Sequence, residues 1–157
     1  MNENGSTAPE VSLEEQFMLE PKSEGSLSLF IASEDGSSYI GWDINTQDIE
    51  ALYFEGIGVP RWESLTAETV EEQTALYWKR FNERMDGFPL LGRTRDTDVD
   101  VEYTSAEVPQ LIAECESIRA ATSNAKALRA LQKILLAASR AAALDAGFNL
   151  KPSHSRG

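Results

Sequence analysis

The chain has 157 residues, 41% hydrophobic and 25% charged, which suits one folded domain with a proper core and leaves too little for two. Its net charge of −12 is uneven: residues 1–118 carry 25 acidic and 7 basic side chains, whereas the remainder carries 1 acidic and 7 basic. A polyanion is repelled by most of such a chain. No apolar run reaches the roughly 20 residues of a bilayer span, no secretory leader is visible, and one cysteine, Cys115, cannot form an internal disulfide. These features point to a cytoplasmic protein with neither a membrane nor a nucleic-acid partner.

Residues 1–25 read as a flexible acidic segment, with six glutamates against Lys22. Ser12-Leu-Glu-Glu15 has capping-box spacing, and Leu13 and Phe17 share a helical face, so one docked turn is expected there. The folded domain is placed at 26–150. Leu27, Leu29 and Ile31 alternate with smaller or polar neighbours, Glu34-Asp35-Gly36 signals a turn, and residues 38–42 form a second strand, together a hairpin. Asn45 or Thr46 is expected to cap a short helix carrying Ile49, Leu52 and Tyr53, followed by an irregular Gly56–Pro60 stretch.

A longer helix is predicted from Thr66, with Val70, Thr74, Tyr77, Trp78, Phe81 and Met85 on its inner face, ended by a left-handed Gly87 and by Pro89. Val99, Val101 and Tyr103 alternate with acids, as in a strand with one wet face. The next helix, capped by Thr104 or Ser105, turns Val108, Leu111, Ile112, Cys115 and Ile118 inward. After Thr122-Ser-Asn124 a last helix spans 125–146, with Leu128, Leu131, Ile134, Leu135, Ala138 and Ala142 inward and Lys126, Arg129, Lys133 and Arg140 on the opposite face. Gly147 follows, and 151–157 are read as a tail. The fold class is thus a single α+β domain, a small and mainly antiparallel sheet with about four packed helices.

Chemistry is scarce. His154 is the lone histidine and sits in a Pro/Ser-flanked stretch, so neither a nucleophile–base pair nor a histidine-rich metal site can be assembled. Cys115 lies on an apolar stripe and reads as a buried, inert thiol. Gly56-x-Gly58 lacks the further glycine and the lysine of a phosphate cradle. No catalytic residue and no cofactor is assigned. The most patterned stretch places Asp96, Asp98, Asp100 and Glu107 at positions 1, 3, 5 and 12 of an EF-hand-like loop, with Glu102 at position 7. Val101 stands where the turn glycine belongs, and the preceding Pro-containing stretch is no helix. A strand with acids outward is therefore the first reading, and a calcium-responsive loop the alternative. A carboxylate-only hydrolase is a further alternative, with no pair of acids singled out.

Aromatic and acidic residues are interleaved from 43 to 63. Asp43, Asp48, Glu50, Tyr53, Glu55, Arg61, Trp62 and Glu63 form the candidate partner-binding set, suited to a protein with a basic surface. Trp78, Tyr77 and Phe81 are assigned to the core by their helical spacing. Phe88-Pro-Leu-Leu-Gly-Arg93 and Asp98-Val-Asp-Val-Glu-Tyr-Thr-Ser-Ala-Glu-Val108, followed by two amphipathic helices, resemble small uncharacterised bacterial proteins, some of which act as immunity partners of polymorphic toxins. The resemblance covers the last half of the chain and has no motif of known role, so no functional residue is carried over. It implies a non-enzymatic protein that masks a basic toxin. The Ala-rich last helix also leaves self-association open.

Overall fold

The computed structural model describes residues 16–17, 27–32, 39–95 and 100–152. Four strands, β1 (Leu27–Ala32), β2 (Tyr39–Ile44), β3 (Val101–Tyr103) and β4 (Phe148–Pro152), form one antiparallel sheet in the order β2-β1-β4-β3. The helices are α1 (Thr46–Ala51), α2 (Val70–Asp86), α3 (Val108–Ala121) and α4 (Ala125–Ala143). The fold is a small α+β domain.

The β1–β2 register sets Leu29 opposite Trp42 and Leu27 opposite Ile44. On β3 the alternation seen in the sequence is real: Val101 and Tyr103 are buried and Glu102 is exposed. Val99 and the Glu34–Gly36 turn lie outside the described residues. The stretch from 151 is no tail at its start, because β4 runs through Pro152 between β1 and β3. Phe148 and Leu150 are both buried, and the Phe148 ring stands 5.3 Å from that of Tyr103.

Helix α4 is the central element, packing on α1, α3 and three of the strands. Ala127, Ala130, Ala137, Ala138 and Ala141 are all buried, so its small face is used inside the domain and lets neighbouring elements approach closely. Trp42 Nε1 donates to the Lys133 carbonyl at 3.1 Å, fixing β2 to the helix. The helix starts at Asn124, whose side chain accepts from Ala127 N–H, and it stops at Ala143 rather than 146. Asp145 adopts φ 55°, and Ala146 N–H returns to the Ala141 carbonyl at 2.9 Å, so aspartate supplies the left-handed turn that ends the helix. Leu128 is half-buried and Ala142 exposed, against their predicted inward positions.

Lys133 is the larger correction: it is 0% exposed rather than on the outer face. Its Nζ donates to the Asp43 carbonyl at 2.7 Å, and desolvation lowers its pKa. Four other local predictions shift. Helix α2 begins at Val70 instead of Thr66, with Thr69 accepting from Glu72 N–H. Gly87 stays right-handed at φ −67°, since the chain leaves α2 through a turn that needs no positive φ. Helix α3 has no hydroxyl cap; Glu107 occupies that place, and Pro109 sits in the first turn. Leu52–Ile57 winds as a single π-helical turn, closed by Gly58 at φ 85°. Cys115 is buried as expected, and burial pushes its thiol up to about 12.

Candidate partner-binding surface

From the π turn the chain passes buried Val59 and half-buried Pro60 into a 3-10 turn, Trp62–Ser64. Four hydrogen bonds from α2 fix this segment. Arg84 donates to the Ile57 carbonyl through Nη2 at 2.6 Å and Nε at 3.1 Å. Gly58 lies against that guanidinium, and its positive φ is what calls for glycine there. Gln73 Nε2 donates to the carbonyls of Trp62 at 3.0 Å and Leu65 at 2.8 Å. The turn is thus held through its backbone, and its side chains are left outside.

Trp62 is 40% exposed, Trp78 51% and Val70 64%. Val70, Thr74 and Trp78 share one face of α2 at four-residue spacing. Only Phe81 and Met85 of the predicted inner face are buried, and Tyr77 is half-buried. Trp78 and Tyr77 are adjacent, so their directions on a helix differ by about 100°, and the narrow Tyr77–Phe81–Met85 seam has room for one of them. Trp78 lies outside it, edge-on to Tyr77 at 5.2 Å and to Phe81 at 5.3 Å. The aromatic contacts continue inward, from Phe81 to Tyr53 at 6.4 Å.

The surroundings are acidic. Glu55, Glu63, Glu68, Glu71 and Glu72 are all exposed between residues 55 and 78, against Arg61, and the exposed bases Lys79 and Arg80 follow Trp78 on α2. Arg61 lies 4.2 Å above the Phe54 ring and 3.3 Å from Glu55. Glu63 and burial together raise the pKa of Tyr77, with burial the larger cause.

The set predicted from the sequence therefore divides. Glu55, Arg61, Trp62 and Glu63 are exposed on this segment, and Glu50 is exposed on α1. Asp48 is buried, because it faces α4, where its Oδ2 lies 3.3 Å from Arg129 Nε. Desolvation raises its pKa against the opposing pull of Lys133 and Lys126. Tyr53 is half-buried, its hydroxyl bonded to Thr94 Oγ1 at 2.6 Å, and Asp43 is half-buried beside α4. These three are not surface anchors. Trp78 and Val70 were missed, and the signal for Trp78 was its adjacency to Tyr77.

The acidic 96–107 stretch is only partly described: Asp96 and Asp98 lie outside the described residues, and Asp100 and Glu102 are exposed. Glu107 is committed to Arg93, with Oε2 2.5 Å from Nη2 and Oε1 3.1 Å from Nη1, and Oε1 also accepts from Thr104 N–H at 3.0 Å. A cation using Glu107 would have to displace a guanidinium. Among the described residues no group of three His, Cys, Asp or Glu side chains is arranged to hold a metal. A groove of about 240 Å³ between α3 and α4 has Ile112, Leu135 and Leu136 in its lining, and its single carboxylate, Glu116, is paired with Arg119. A two-carboxylate mechanism is not built there.

The Arg93 pair carries a pH prediction. Its hydrogen bonds hold the Glu107 carboxyl down at about 2, from an ordinary 4.5. A depressed folded-state pKa adds stability above the unfolded value, and that stability is lost as pH falls through the folded one. Glu107→Gln is therefore less stable than the parent at neutral pH, and the gap closes between pH 4.5 and about 2. Thermal melts of both proteins across that range check it; a constant gap refutes it.

No family model, curated protein or solved structure matches this chain. Among the described residues no helix is long and apolar enough to cross a membrane.

Proposed function

We propose that this chain is a non-enzymatic protein-binding module that engages a basic partner through the Trp62 turn and the first half of α2. Neutralisation of a basic toxin in the cytoplasm is its sharpest form. The observation that carries the reading is the joint exposure of Trp62, Trp78 and Val70 on a backbone-anchored segment bordered by five glutamates. Large aromatic side chains carried on a backbone fixed before binding make effective interface anchors, because little backbone freedom remains to be lost. The acids supply complementarity and speed encounter with a cationic surface.

The test is capture of partners from the native cells, followed by binding kinetics of the captured protein. A stoichiometric basic partner is expected, whose association rate falls steeply as salt shortens the screening length. Substituting Trp62→Ala and Trp78→Ala together lowers its affinity at least tenfold, while each exposed tryptophan changes folding stability by only about 0.5 kcal/mol. Equal association rates at low and high salt, or full affinity in the double variant, refute the proposal.

A further inference from the structure

A second site, on other residues, lies on the opposite arm of the chain's charge asymmetry. Phe17 belongs to the acidic N-terminal segment, yet it is only 3% exposed. Its ring centroid stands 6.1 Å from that of Trp42, with Lys133 Nζ at 5.1 Å and Arg129 Cζ at 5.7 Å from the ring. An indole and two cations thus receive one aromatic side chain. The cations are fixed from behind: Lys133 Nζ by the Asp43 carbonyl at 2.7 Å, and Arg129 by Asp48 at 3.3 Å. These are the components of aromatic recognition, with apolar contact on the indole and cation–π attraction from the two bases.

We propose that Trp42, Arg129 and Lys133 form a binding site for an aromatic residue carried in an acidic segment, and that Phe17 fills it as an intramolecular ligand. The charges match. Phe17 is flanked by Glu14, Glu15 and Glu20, whereas the α4 sequence brings Lys126, Arg129, Lys133 and Arg140. Nine residues separate Phe17 from Leu27, the first residue of β1. Covalent linkage over so few residues makes the encounter intramolecular, with an effective concentration on the order of a millimolar. The tethered ring therefore outcompetes a free peptide of the same chemistry, and the site becomes measurable once the ring is removed.

The experiment uses the full chain carrying Phe17→Ala and a synthetic peptide of residues 10–22, with calorimetry and tryptophan fluorescence as readouts. Saturable binding at least tenfold tighter to the variant than to the parent is expected. Adding Arg129→Glu to the variant, or raising the salt, weakens it at least tenfold, and a peptide with alanine in place of its phenylalanine does not bind. A folded variant that takes up no peptide overturns the proposal, as does equal binding to both proteins. A variant that fails to fold also overturns it, since Phe17 would then be a core residue the domain requires. A parent dimer that the variant abolishes assigns the site to the segment of a second copy and overturns the intramolecular occupant. None of these outcomes bears on the Trp62 and Trp78 surface, so the two proposals stand or fall apart.

Discussion

Glu114→Ala lowers the folding stability by about 3–5 kcal/mol, the cost of leaving two buried N–H groups without acceptors at about 1–3 kcal/mol each. Glu114 sits on α3, almost fully buried, and its carboxylate accepts Leu91 N–H at 2.9 Å and Leu90 N–H at 3.1 Å, with Gln110 Nε2 at 3.0 Å. It caps the 3-10 turn Leu91–Arg95 from another element, a task normally done by a residue just before the turn. The Leu90 carbonyl is satisfied in a similar way, by the Tyr103 hydroxyl at 2.7 Å. Truncation leaves two N–H groups buried without acceptors and a void beside Leu91. A typical domain has only about 5–15 kcal/mol in all, so the variant stands close to unfolding. Glu114→Gln keeps the shape and one acceptor oxygen and costs less, about 1–2 kcal/mol. Urea unfolding of the three proteins at one pH decides the matter: similar midpoints for alanine and glutamine would show that the hydrogen bonds contribute little.

Gly147→Ala has an effect of similar size, about 3 kcal/mol or more, from overpacking against backbone. A Cβ at this position would lie 2.0 Å from the Tyr103 carbonyl oxygen and 3.0 Å from its carbon. Neither atom belongs to a flexible side chain, so relief requires parting β4 from β3. Because β4 also pairs with β1, the whole sheet is disturbed. Hydrogen exchange is the informative measurement, with protection lost first along β3 and β4 while α4 keeps its own. Uniform loss across the domain would mean that the sheet and α4 open as one unit.

Local periodicity and capping chemistry made much of the fold legible. The β1–β2 hairpin, the short helix after Asn45, the buried stripe of α3 and the alternation at Val101 and Tyr103 all follow from which side chains recur every two or every 3.6 residues. What failed was any question about a second partner. Lys133 looks exposed because lysine favours water, and it is buried because the Asp43 carbonyl and the Phe17 ring meet it from distant parts of the chain. Trp78 looks like core because it fits a helical face, and it is exposed because the seam beneath that face is filled by Tyr77 and Phe81. In the candidate surface, Trp62 was visible as an aromatic in irregular surroundings, whereas the grip of Gln73 and Arg84 on that turn was not.

By itself, then, the sequence determined the four helices, three of the four strands, the class of fold and the acidity of residues 1–118. These depend on composition and on neighbours within a few positions. The tertiary structure alone decided that Phe148–Pro152 closes the sheet between β1 and β3, that Phe17 docks against Trp42, Arg129 and Lys133, and which tryptophans face solvent. Each of these depends on residues tens of positions apart, since burial is set by what packs on a side chain and a local pattern specifies only which side chains are available to be covered.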